Sequence, residues 1–78
     1  MFNARLKSAR KTKGYTMQRL ADVVGISMRG YQYYESGHRE PNFGTLVLLA
    51  NTLDVSTDWL LGRDEWLRSH GVSVDGLP

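Results

Sequence analysis

The short segment Gly25-Ile26-Ser27 constrains this chain most. It leaves almost no room between the end of one helix and the start of the next. Before it, Met17, Leu20, Ala21 and Val24 recur at i, i+3, i+4 and i+7, the spacing of one apolar helix face, with Thr16 in the capping position. After it, Ser27 is placed to cap a further helix that runs from Met28 to about Glu35 or Ser36 and stops at Gly37. Gly25 can take the left-handed backbone conformation that reverses a chain sharply. Ile26 can plug the angle between the two helices, and Ala21 is small enough to let them cross closely. Two short helices joined by so tight a turn predict a helix-turn-helix unit.

The rest of the chain is punctuated in the same way. A first helix is expected from about Asn3 to Lys13, with Leu6, Ala9 and Arg10 on one stripe and Gly14 at its end. His38 to Pro41 reads as a loop. Asn42 caps a fourth helix over Phe43 to Leu53, in which Phe43, Leu46, Leu49, Ala50 and Leu53 are expected to be buried. Asp54 and Val55 turn the chain, and Ser56 caps a short fifth helix that carries Trp59 and Leu60 and ends near Gly62. Asp64 to Ser69 is expected to add a helical turn or two, and the tail from His70 to Pro78 to be loose. Val72-Ser73-Val74 alternates, but it is too short to compete as a strand. The fold predicted is all-α, a compact five-helix bundle.

Charge is uneven along this frame. Residues 1–39 hold eight Lys or Arg against Asp22 and Glu35, a balance of +6, whereas residues 40–78 hold Arg63 and Arg68 against six acids, −4. One basic face of this kind attracts phosphates. There are no cysteines, so disulfides and thiolate metal sites are excluded. His38 and His70 lie far apart without a ligand pattern, and no metal or cofactor is expected. No Ser/His/Asp set or phosphate-cradling Gly loop is present, so the chain does not read as an enzyme. The apolar runs are far too short for a bilayer span, and the residues after Met1 lack the apolar stretch of a secretory signal. A cytoplasmic location is therefore expected.

In order along the chain stand Leu6 with Arg10, Thr16 with Leu20-Ala21, Gly25-Ile26-Ser27, Tyr34-Glu35-Ser36-Gly37, Arg39 with Pro41, Leu46 with Leu49-Ala50, Leu53, and Val55-Ser56 with Trp59-Leu60-Leu61-Gly62. Across about residues 3–62 this pattern resembles the lambdoid-repressor and Cro-like regulators of bacteria and phages, the XRE family. The resemblance implies a lambda-repressor-like DNA-binding domain over residues 1–62. Residues 63–78 read as an extension beyond the family pattern, expected to form a dimer contact and then a loose tail. It also implies a sequence-specific regulator of transcription, a repressor acting as a homodimer on a double-stranded operator. The family usually has Gln directly after the second helix's cap. Here Met17 stands there and Gln18 follows, which leaves backbone N–H groups and Gln18 for the phosphate at that helix start.

Docking of such a unit points the early residues of the third helix into the major groove. Base contacts are expected from Met28, Arg29, Gln32 and Tyr33. Arg29 leads, because a guanidinium fork matches the O6 and N7 acceptors of guanine. Backbone contacts are expected from Met17, Gln18, Ser27 and Arg39. Arg10 and Glu35 occupy positions where the family often places an ion pair between the first and third helices. Leu61, Trp66 and Leu67 are the candidates for a dimer surface. Tyr31, Tyr34, Phe43 and Trp59 read as core rather than as stacking platforms for bases, and Asp64-Glu65 as a solvated acidic pair. A reading from another class is an antitoxin-type protein that binds a partner toxin as well as its own operator. Its protein partner would then be a toxin or an antirepressor, and the tail after Gly62 would carry the contact. A third is an adaptor that kept the fold but not the DNA.

Overall fold

Each of the four polar residues expected to start a helix does so by accepting a backbone hydrogen bond. Thr16 Oγ1 accepts from the Arg19 amide at 3.1 Å, Ser27 Oγ from Gly30 at 3.0 Å, Asn42 Oδ1 from Thr45 at 2.8 Å and Ser56 Oγ from Trp59 at 2.9 Å. Each satisfies a donor that a helix start leaves without a partner. In the computed structural model, which describes residues 1–72, the caps open α2 (Met17–Val24), α3 (Met28–Ser36), α4 (Phe43–Leu53) and α5 (Thr57–Leu60). α1 (Phe2–Thr12) precedes them without a side-chain cap, and α6 (Asp64–Ser69) follows. The described residues thus form six helices, because the turn or two expected after Gly62 folds as a helix of its own. Among these residues there is no strand.

The turn between α2 and α3 is built as the sequence requires. Gly25 adopts φ 76° and ψ 31°, and the Ile26 amide reaches back to the Ala21 carbonyl at 3.0 Å. A left-handed residue followed by such a return bond closes the end of α2. Ala21 is fully buried and Ile26 packs against the core, so the two helices meet closely.

The core joins Leu6 and Ala9 of α1, Leu20, Ala21 and Val24 of α2, and Tyr31 and Tyr34 of α3 to Leu46, Leu49, Ala50 and Leu53 of α4, with Trp59, Leu60 and Leu67 closing one end. Tyr31 and Tyr34 meet edge to face, their ring centroids 6.3 Å apart. Two expectations fail here. Phe43, expected in the core, is 88% exposed: as the first residue of α4 it stays at the surface, on a recess shared with Phe2, Pro41 and Leu61. Leu67, expected on a dimer surface, is buried in its own bundle, because α6 turns the side of Asp64 and Leu67 inward and leaves Trp66 outside.

Asp64 is not solvated as expected. Arg5 Nη1 and Nη2 each donate to one of its carboxylate oxygens at 2.7 Å, and Nη1 also donates to the Trp59 carbonyl at 2.7 Å. The same guanidinium lies 5.0 Å from the centre of a Trp59 ring. One side chain of α1 therefore holds α5 and α6 in place. Of the tail expected to be loose, His70 to Pro78, residues 73–78 lie outside the described residues, whereas His70, Gly71 and Val72 are held to the end of α6 by backbone hydrogen bonds to Trp66, Arg68 and Leu67.

Candidate nucleic-acid interface

α3 has two unlike faces. Tyr31 and Tyr34 point into the core, while Arg29 and Gln32 are exposed and Met28 and Tyr33 are half-buried at the margins. These four residues fall at i, i+1, i+4 and i+5, the spacing of one helix surface. A Cβ at Gly30 would lie 3.1 Å from the Ser27 Oγ that caps the helix, a tight contact.

The inward side of α3 is fixed by a charged network. Glu35 accepts from Arg10 Nε at 2.6 Å and from Arg10 Nη2 at 3.2 Å. The Tyr31 hydroxyl donates to the same carboxylate, and Arg10 Nη1 donates to the Tyr15 carbonyl at 2.9 Å. One guanidinium thus ties α1, the loop before α2, and α3. The hydrogen bond to Glu35 raises the Arg10 pKa against the opposing effect of burial. Burial, and then the bond to Glu35, push the Tyr31 hydroxyl well above the ordinary phenol range. Among the described residues no buried side-chain polar atom is left without a partner.

The remaining expected contacts are spread over the surface. Ser27 is exposed at the start of α3, and its hydroxyl is engaged in the cap. Met17 is half-buried against the core, and Gln18 donates to Asp22 Oδ1 at 2.9 Å within its own helix. Arg39 is exposed in the loop after α3, with its guanidinium over the Tyr33 ring at 5.4 Å. Among the described residues the ion pairs are Arg5–Asp64, Arg10–Glu35 and Arg63–Asp58. The other basic residues of the first half, Lys7, Lys11, Lys13, Arg19, Arg29 and Arg39, are all exposed. Sequence reasoning missed the Arg5 clamp, whose partners lie 54 and 59 positions away. It also missed the contact between Tyr33 and Arg39, although the two stand close in sequence on either side of the Gly37 stop.

A family model described as helix-turn-helix matches residues 6–60, which include every element of this arrangement except the start of α1 and α6. The chain belongs to the helix-turn-helix family. This agrees with the resemblance carried by its motif residues. It is 54% identical to the SPbeta prophage-derived HTH-type transcriptional regulator YonR of Bacillus subtilis, over 78% of this chain and 56% of that protein. It is 42% identical to the cryptic phage CTXphi transcriptional repressor RstR of Vibrio cholerae, over 76% of this chain and 53% of that one. The crystal structure of a transcriptional regulator from Listeria innocua superposes with a TM-score of 0.72 at 25% identity, covering 96% of this chain and 79% of that chain. The chain spans about half the length of the curated relatives it matches most strongly. No helix among the described residues is long and apolar enough to cross a membrane.

Proposed function

We propose that this helix-turn-helix protein is a cytoplasmic, non-enzymatic repressor of transcription that binds a double-stranded operator as a homodimer, with α3 in the major groove. The observation that carries this reading is the division of α3. Its inner side is locked by Arg10, Glu35 and Tyr31, while Arg29 and Gln32 stand free on the outer side. A reader of base edges needs both properties, since side chains that discriminate bases must be held in register. Arg29 is assigned to guanine, Gln32 to adenine or a phosphate, and Met28 to an apolar contact at the margin. The exposed cations, Arg39 among them, are assigned to phosphates, with the helix start at Met17 and Gln18 and the cap at Ser27 alongside them. Relatives that are named as transcriptional regulators and a repressor favour this reading over an antitoxin one.

The dimer surface is assigned to Phe43 and Leu61. Phe43 and Leu61, 88% and 52% exposed, line one recess of about 160 Å³ together with Phe2, Glu40, Pro41 and Leu46. Exposed apolar side chains gathered around one recess form the kind of patch that two copies of a small domain bury against each other. Trp66 is less suited, since its ring is already stacked on His70 at 4.0 Å and covered by Arg63 at 5.0 Å.

Selection of bound fragments from random duplex DNA tests the function. The expected result is one enriched motif with two-fold symmetry. Recovery of unenriched DNA, or of none, contradicts it.

A further inference from the structure

The junction after α3 converges on one residue. The Tyr33 carbonyl accepts four hydrogen bonds, from the Gly37 amide, the His38 amide at 3.0 Å, the Arg39 amide at 3.2 Å and Ser36 Oγ at 3.2 Å. The ring of the same residue meets the two basic side chains of the loop. The Arg39 guanidinium carbon lies 5.4 Å from the ring centre, and the His38 ring is 6.1 Å away at 49°. Ser36 Oγ also meets His38 Nδ1 at 2.8 Å. Arg39 has no carboxylate partner among the described residues.

We propose that Tyr33 is a positioning residue, which holds Arg39 against its ring so that the guanidinium meets a DNA backbone phosphate next to the base pairs faced by Arg29. This rests on the DNA-binding reading above and changes the role of Tyr33 within it, from base contact to support. A guanidinium that stacks through its face keeps its N–H donors at the edge, and those donors match the oxygens of a phosphate. A long side chain already confined by a ring loses less freedom when it binds. The bonds to the Tyr33 carbonyl fix the backbone from which Arg39 springs, so main chain and side chain are set by one residue. A phosphate contact is made on any sequence. Tyr33 therefore contributes to affinity without contributing to sequence preference.

The test compares the single changes Tyr33→Phe, Tyr33→Leu, Tyr33→Trp and Arg39→Ala with the double change that combines Y33L and R39A. Each is titrated against the selected operator and a scrambled duplex across a salt series. Y33F is expected to bind within about twofold of the unaltered chain, because the ring remains. Y33L is expected to weaken both duplexes by one common factor, about two- to fivefold. R39A is expected to lower the log–log salt slope by about one unit and to cost less on the Y33L background than alone. Y33W keeps an aromatic face, so it is expected to retain both affinity and preference should Y33L fail to fold. The proposal is overturned if Y33L or Y33W alters the preferred base at any position, or if R39A costs the same on both backgrounds. If the unaltered chain binds neither duplex, the DNA-binding reading falls with it; strong binding with independent Y33L and R39A effects sinks the positioning role alone.

Discussion

Arg10 on α1 and Glu35 on α3 share two hydrogen bonds, at 2.6 and 3.2 Å, in a site where both side chains are about nine-tenths removed from solvent. Taking two charges out of water offsets much of their attraction, so such a pair is a poor source of net stability. Its value here lies in geometry. Glu35 also receives the Tyr31 hydroxyl, and Arg10 also reaches the Tyr15 carbonyl. Any rotation of α3 would break several of these bonds together.

Arg10→Ala is therefore expected to lower unfolding stability by about 3–5 kcal/mol, since it strands the Glu35 carboxylate without its ion partner. In a domain whose total is on the order of 5–15 kcal/mol, that loss is large. Arg10→Met combined with Glu35→Gln removes the stranded charge and is expected to cost less than Arg10→Ala alone. Urea denaturation of both variants checks the order. Equal losses, or none, would mean that the pair does not organise α3.

Stability should fall at both ends of the pH scale for identifiable reasons. Burial and Glu35 hold the Tyr31 proton in the folded state, whereas the unfolded chain releases it near pH ~10. The Tyr31 contribution is thus intact below about pH 10 and is lost as pH rises beyond it. Arg5 holds the Asp64 pKa below its ordinary value. The unfolded chain takes up that proton first, near pH ~4, so the Asp64 contribution is present above about pH 4 and is lost as pH falls further. Thermal melts across pH should show Tyr31→Phe flattening the alkaline limb and Asp64→Asn the acid limb. An unchanged limb in either variant contradicts the corresponding assignment.

The parts of this fold governed by local chemistry were legible in the sequence. Thr16, Ser27, Asn42 and Ser56 cap helices because a side-chain oxygen beside a helix start has one dominant use, and Gly25 reverses the chain because it carries no Cβ. The α3 faces followed from periodicity. What periodicity could not supply was which apolar positions the neighbouring helices cover. Phe43 belongs to the apolar stripe of α4 yet is left exposed at the first position of the helix. Leu67 and Trp66 are adjacent in sequence, and only the docking of α6 decided which one turned inward. That docking depends on Arg5, which meets Asp64 across nearly the whole described chain. In the candidate site, Arg29 and Gln32 were identifiable from their register on α3. The engagement of Tyr33 by Arg39 was not, because it depends on the path of the loop after Gly37.

Phe43→Ser tests the dimer surface with little risk to the fold. An exposed side chain away from the core is expected to change unfolding stability by no more than about 0.5 kcal/mol. The same change is expected to reduce self-association in sedimentation and to weaken binding to a two-fold operator more than to a single half-site. If association and operator binding are unaffected, the two copies do not meet through Phe43.

The central claim is that α3 reads base edges through Arg29. It is tested most directly by measuring the affinity of the unaltered chain and of Arg29→Ala for the selected operator and for operators altered one base pair at a time. The account predicts that Arg29→Ala loses about 1–3 kcal/mol on the preferred operator and becomes indifferent to the identity of one base pair in each half-site. A uniform loss on every operator, with each base preference retained, would contradict it.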